Sequence, residues 1–551
     1  MTPEATTAVF NPFPGLRSFE PEEEHLFFGR ERQVDELLGR LRRTRFLAVV
    51  GTSGSGKSSL VRSGLIPSLH GGFMAAAGSS WRVAVLRPGD DPIGNLAAAL
   101  NAQDLLGGDP DLAGFNRSLL EATLHRSARG LAECVRQARF PRHDNLLIVV
   151  DQFEELFRFR RNARIKDSGE AAAAFVRLLL EGASQGEAPV YVVLTMRSDF
   201  LGNCTELPGL AEAVNDGQYL VPRMTREERR LAITGPVAVG GGEITPRLVL
   251  RLLNDVGDDP DQLPILQHAL MRTWDCWERD HAEGEPLDLR HYEAIGTMRE
   301  ALSLHAEEAY RELPSERHRK IAESLFKALT DRDAANRGVR RPTRMEEAAE
   351  LAGASFEEMV AVVEAFRRPG RSFLMPPASA PLCSDTILDI SHESLMRIWA
   401  RLLQWVDEEA RSARIYLGVS RAAARYQEGS PGLWRDPELQ LALNWREEVR
   451  PTALWAERYE PAFERAMLFL DYSGRERDLA LQKRERERRR ELRRTRWLAA
   501  ILGSAALLTL AFGLWALTLE IEAEKAAAEA VEQKTQALLK EREAQDQRRR
   551  A

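Results

Sequence analysis

A chain of 551 residues with a net charge of -7 is too long for one hydrophobic core, and its overall charge gives no argument for polyanion binding. At ~150 residues per domain it should hold about three or four units, and 44% hydrophobic with 29% charged residues excludes a disordered or fibrous chain. Its four cysteines, Cys134, Cys204, Cys276 and Cys383, lie too far apart for metal-ligand spacing and read as reduced, mostly buried thiols of a cytosolic protein.

Residues 1–10 lack the basic start and apolar core of a signal peptide and are expected to be disordered. A Pro-rich extended piece opens the region 11–224. After Phe28, Gly29, Arg30 and Glu31 comes an amphipathic helix with apolar Val34, Leu37, Leu38 and Leu41 on one face. Arg30, beside a glycine turn and one helix upstream of a Gly/Ser-rich loop, suits either a nucleotide contact or the cap of a surface helix. Residues 46–60, FLAVVGTSGSGKSSL, join an apolar strand to that Gly/Ser loop and a helix, the setting that a G-x-x-x-x-G-K-[ST] phosphate loop requires. Gly51, Gly54, Ser55 and Gly56 let backbone N–H groups wrap a polyphosphate, and the helix opening near Gly56 aims its dipole at the same anion. Lys57 is placed to reach β- and γ-phosphates and Ser58 to hold Mg²⁺, and Ser59 is the last residue of the phosphate-binding run 51–59.

Further apolar runs at 81–86, 145–150, 190–196 and 219–221 predict strands, the longer ones buried on both faces. Alternation with helical sequence predicts a doubly wound, mainly parallel α/β sheet, with ligands at the carboxyl ends of the strands. Asp151 ends one strand and is the second candidate for Mg²⁺. Glu154 and Glu155 come next as candidates to orient or deprotonate an attacking water, with Glu154 favoured and one of the pair open to being a solvated helix-start carboxylate. Arg197, at the tip of the next strand, is either a γ-phosphate sensor or an ordinary surface arginine.

From 225 the pattern is helical, with a Thr225 capping box, and 225–300 reads as a helical unit. Within 301–400, two short helices and a two-strand ribbon (RSFLMPP and TILDISHES) have the outline of a winged helix, and 401–482 is helical again. Residues 483–496 are strongly basic. Residues 497–519 carry no charge over 23 positions, long enough to cross a ~30 Å hydrocarbon core, and the basic flank predicts a cytoplasmic N-terminal side. The tail 520–551 reads as a polar helix, either a short extracytoplasmic stalk or the start of a longer C-terminal part.

Together NPFPGLRSFEPEEEHLFFGRE, VVGTSGSGKSSLVRSGLIPSL, IVVDQFEELF, VVLTMRSDFL and ISHESLMRIW resemble the STAND class of signal-transduction P-loop ATPases, in particular the novel STAND NTPase 1 subgroup. The resemblance implies ATP or ADP with Mg²⁺ as ligands, with nucleotide domain, helical lid and winged helix closing over ADP. It further implies Arg30 near the base, Pro264 of QLPIL packing on adenine, and His392 of DISHES reaching the β-phosphate. Read from its position alone, a histidine such as His392 at the end of a strand is more often a satisfied core or turn histidine. The expected function is a slowly hydrolysing switch at a bacterial inner membrane, homo-oligomeric on activation, with an unnamed trigger or effector protein, in stress or anti-phage signalling. Two other readings stand beside it. One is a DNA-binding regulator using the arginines of RRPTR and AFRRPGR, which suit a solvated face better. The other is an effector whose own transmembrane helix permeabilises a membrane through the small residues Gly503, Ser504, Ala505, Gly513 and Ala516, which also suit a plain anchor.

Overall fold

The computed structural model describes residues 10–73, 80–102, 105, 113–138, 144–160, 167–184, 189–257, 262–332, 338–429 and 432–550. The expectation for residues 1–9 therefore lies outside the described residues. The chain divides into two compact units, Met1–Arg411 and Ser412–Ala551.

Strands β1 (Phe46–Gly51), β2 (Ser80–Leu86), β3 (Asp144–Val150), β4 (Val190–Arg197) and β5 (Gln218–Leu220) form one sheet in the order β2-β3-β4-β1-β5, every pairing parallel. Each coincides with an apolar run to within one or two residues. Alternate side chains of β1 feed two cores. Phe46, Ala48 and Val50 pack with Ile93, Leu96 and Phe153, while Leu47 and Val49 face Leu37, Leu41 and Leu65. Both faces are thus covered, as a parallel sheet needs. The helix Glu31–Thr44 buries Val34, Leu37, Leu38 and Leu41, the face expected from its spacing.

Beyond the sheet, helices Arg226–Val239, Pro246–Val256, Leu263–Asp280, Leu289–Ala294 and Thr297–Arg311 build a core around Trp274 and Tyr292. The first is capped as its sequence implies: Thr225 Oγ1 accepts from Glu228 N–H, and Glu228 accepts from Thr225 N–H.

The stretch from 330 to 390 contains more strand than expected. A hairpin pairs β6 (Thr330–Arg332) with β7 (Gly338–Arg340), and β8 (Thr343–Arg344) joins β9 (Leu374–Met375) and β10 (Ile387–Ile390) in an antiparallel sheet of order β8-β10-β9. Strands of two or three residues are too short for a period-2 pattern to be legible. Helices Met345–Ala352 and Phe356–Arg367 lie between β8 and β9 in sequence, and share a core with β9 and β10 that includes Phe326, Phe366, Phe373, Ile390 and Trp399.

In the second unit, Tyr416, Leu439, Trp445 and Phe469 form a small helical core. One helix, Phe463–Arg550, runs for 88 residues without interruption. It contains an exposed 18-residue window of mean hydropathy 2.0, a candidate membrane span. Three cysteines are buried and Cys383 is exposed.

Candidate functional site

The sheet order places the ends of β3, β4 and β1 side by side, and the loops leaving them line a cavity of about 650 Å³. Gly54 and Gly56 adopt φ of 71° and 84°, the left-handed region that favours glycine, so the loop after β1 turns back over itself. Lys57 Nζ donates to the loop's own carbonyls, Gly51 at 3.1 Å and Thr52 at 2.7 Å. Burial draws its pKa down, opposed by Glu154 and Asp151.

Asp151 is buried at the end of β3. Its Oδ1 accepts from the hydroxyls of Ser58 at 2.7 Å and Thr195 at 2.6 Å. Burial pushes this carboxyl up, but Arg87, Arg62 and the two hydroxyl bonds outweigh it and hold it below its ordinary value. An anionic carboxylate and a serine hydroxyl meeting at one point are hard oxygen donors of the kind Mg²⁺ takes. The next residue, Gln152, has φ of 56°, and its N–H donates to Thr195 Oγ1 at 3.0 Å. Thr195 therefore fixes both Asp151 and the strained turn after it. The motifs do not single out Thr195, although a threonine near the end of an otherwise apolar buried strand is the signal that marks it.

The two glutamates separate. Glu154 is 6% exposed, lines the cavity with Lys57, and accepts from Arg197 N–H at 3.3 Å. Burial raises its pKa, with Lys57 opposing. Glu155 instead accepts from Gly89 N–H at 3.3 Å in the loop after β2, and burial lifts its carboxyl to about 7. Of the two carboxylates, Glu154 is the one that lines the cavity.

Arg197 is engaged rather than free at the surface. Its Nη1 donates to both oxygens of Glu393 at 2.7 and 2.9 Å, and its Nη2 to Asp199 at 2.6 Å. Glu393 also accepts from Ser53 of the phosphate loop at 3.2 Å. The neighbouring His392 lines the same cavity. Ser394 N–H donates to its Nδ1 at 3.1 Å, so the proton of the neutral ring sits on Nε2. Burial, with Arg340 adding, lowers His392 to about 3 and keeps it neutral. Arg340 completes this side: it donates to Asp389 at 2.6 Å, Ile390 O at 3.0 Å and Gln152 Oε1 at 2.6 Å. Sequence gives Glu393 no role, although it lies within DISHES, and offers Arg340 only as part of the basic stretch RRPTR, a DNA contact or a solvated face.

Pro264 lines the cavity from the first turn of helix Leu263–Asp280. Arg30 lines a smaller cavity on the other side of the phosphate loop, together with Gly51, Thr52, Ser55 and Leu263. Arg30 is 4% exposed, and its guanidinium donates to Pro222 O at 2.9 Å and to Ser55 O of the phosphate loop at 3.2 Å. Gly54, Gly56, Lys57, Ser58, Ser59, Asp151, Glu154, Arg197, Pro264 and His392 line the cavity, Gly51, Ser55 and Arg30 line the smaller one beside it, and Glu155 turns to the loop after β2.

No curated protein sequence matches the chain. Among solved structures it is similar to the ORC1 protein of Aeropyrum pernix in complex with DNA, at 13% identity over 68% of this chain and 94% of that one, with a TM-score of 0.35. It is similar to the ORC2 protein of Aeropyrum pernix (ADPNP–ADP complexes) at 10% identity, over 72% and 95%, with a TM-score of 0.38. A Walker-type ATPase of Pyrococcus abyssi is similar at 12% identity, over 70% and 98%, with a TM-score of 0.33. The model of the family described as Novel STAND NTPase 1 matches residues 12–431, most of the chain and all of the cavity. The chain belongs to that family and is a P-loop NTPase.

Proposed function

We propose that the protein is an ATP-binding, slowly hydrolysing switch, tethered to a membrane by residues 497–519, that is closed with ADP and assembles when ATP replaces it. The observation that carries this reading is Glu393. One carboxylate bridges the phosphate-loop hydroxyl of Ser53 and the strand-tip guanidinium of Arg197. Residues 225–300 act as the lid and 301–400 as a winged helix in this reading, with the short sheet β8-β10-β9 as its ribbon.

The division of labour rests on chemistry. Lys57 leaves its two carbonyls to neutralise β- and γ-phosphate charge. Ser58 and Asp151 would hold Mg²⁺, which supplies charge neutralisation at the phosphates when bound. Glu154 takes the proton of an attacking water, and its raised pKa makes it a stronger base at the cost of ionising less readily. Arg197 stabilises charge on the departing phosphate only when released from Glu393, so hydrolysis is slow in the closed form. His392 offers Nε2–H to a phosphate oxygen from the opposite wall, and Pro264 offers an apolar face to a base.

A role in reading DNA has less support. Of the arginines in its two basic stretches, Arg340 pairs with Asp389, Arg367 donates to the carbonyls of Pro376, Pro377 and Ala380, and Arg371 to Ala365 O and Glu312. The test of the switch is Lys57→Ala. Bound nucleotide recovered from the purified wild type should be absent from the variant, and a variant that keeps its nucleotide refutes the site.

A further inference from the structure

The helix leaving the phosphate loop is not a regular α-helix. After Lys57–Ser59 it widens into a π-type turn over Leu60–Leu65 and resumes as Ile66–His70. Such turns concentrate at functional sites. The polar side chain within this one that meets the cavity is Arg62.

Arg62 Nη1 donates to both oxygens of Glu20 at 2.8 Å, while Nη2 lies 3.8 Å from Asp151 Oδ2. Its Nε is buried and without a hydrogen-bond partner. One guanidinium thus stands between two carboxylates. Asp151 belongs to the candidate cation position, and Glu20 to a segment, 15–23, that lines the same cavity. The helix grips that segment twice more: Ser59 Oγ accepts from Phe19 N–H at 3.2 Å, and Ser63 Oγ donates to Glu20 O at 2.6 Å.

A buried carboxylate needs compensating positive charge, and Asp151 has its Oδ1 occupied by two neutral hydroxyls. Arg87 and Arg62 supply that charge, and of the two it is Arg62 that stands 3.8 Å from Oδ2. A divalent cation held by Ser58 and Asp151 supplies the same charge, and two cations this close repel. We propose that Arg62 stands in for the divalent cation at Asp151, letting the site hold a nucleoside diphosphate without metal, and that Glu20 sets how strongly Arg62 leans toward Asp151. This rests on the proposed nucleotide switch. Arg62 and the cation compete for Asp151, so weakening the hold of Arg62 on Asp151 raises the cation's share, whereas weakening the hold of Glu20 on Arg62 lowers it.

The experiment uses the full chain and a fluorescent ADP analogue, with the dissociation constant measured in EDTA and in saturating Mg²⁺. The quantity of interest is the EDTA-to-Mg²⁺ ratio. Arg62→Gln should raise it by on the order of tenfold, Arg62→Lys should restore it toward wild type, and Glu20→Gln should lower it because Arg62 loses its competing partner. A structural role would weaken binding equally in both buffers. An unchanged ratio in Arg62→Gln, or movement in the same direction in Arg62→Gln and Glu20→Gln, overturns the proposal. Should Arg62→Gln fail to fold, the sign of the Glu20→Gln shift decides alone. Lys57→Ala separates the two levels: loss of ADP there with an unmoved ratio in the Arg62 and Glu20 variants removes only this proposal. Wild type that binds no ADP in either buffer removes the nucleotide reading as well.

Discussion

Replacing Glu393 by Gln tests the closing contact most directly, because it keeps volume and one hydrogen-bonding oxygen while removing the charge. Glu393 and Arg197 are 8% and 13% exposed at their side chains, so solvent screens their pairing little. Burial raises the Glu393 carboxyl, but Arg197 and Arg340 lower it more and leave it below its ordinary 4.5. The charged form is therefore the bonded one. Losing a hydrogen bond to a charged group costs about 1.5–3 kcal/mol. Arg197 keeps Asp199, which argues against the larger penalty of an abandoned buried charge. If the contact exists only in the closed form, ADP release should accelerate by roughly 10- to 150-fold. Stopped-flow displacement of a fluorescent ADP measures this. The direction with pH is set by the lowered carboxylate, which contributes closure above about pH 4.5 and loses it as pH falls through its lowered value. The wild type should thus approach the variant's release rate only in acid. Release from Glu393→Gln at the wild-type rate near pH 7 would refute the bridge as the closing element.

Glu154→Gln should leave nucleotide affinity near wild type while turnover in steady-state phosphate release drops by about 10²–10⁴; equal turnover would move the base elsewhere. Glu155 binds a proton in the folded chain near neutrality, since burial lifts it to about 7 from 4.5. The stability it contributes is full below pH 4.5 and lost as pH rises through 7. Thermal melts of Glu155→Gln should therefore gain on wild type between pH 5 and 8, by roughly 2 kcal/mol, and parallel pH profiles would contradict this. Gly29 has φ of 81°, and a Cβ there would lie 2.3 Å from Glu228 O. Gly29→Ala should cost at least about 2 kcal/mol in chemical denaturation, and a neutral result would mean that the turn ahead of Arg30 rearranges freely.

What is legible in the sequence is local. The five parallel strands are visible because each is an apolar run closed by a polar residue, a glycine or a proline, and the phosphate loop because its glycines and Lys57 act within a few residues of each other. Contacts across the chain are not. Gln152 and Arg340 are 188 residues apart and Arg197 and Glu393 are 196 apart, and no spacing rule links such pairs. Arg340 illustrates the difficulty. It sits in a basic stretch that suits a solvated face, yet Asp389 and two carbonyl-type oxygens hold it inside. Arg30 stands out for its position beside a turn, but the acceptors it serves, Pro222 O and Ser55 O, are backbone atoms that composition cannot reveal.

The long helix Phe463–Arg550 carries a consequence for rotational phase. At 3.6 residues per turn, positions 18 apart share an azimuth after five full turns. The face that buries Phe469 and Leu470 in the helical core therefore recurs at Ala505 and Ala506 within the apolar stretch, about 54 Å along the axis. No proline interrupts the helix, so packing at its base sets which side of the apolar stretch faces which way. Insertion of one residue in the basic segment would turn that stretch by about 100° while altering its depth by about 1.5 Å. Orientation and depth can thus be changed almost separately, which makes the base of this helix the natural place to ask whether its far end acts by direction or merely by being anchored.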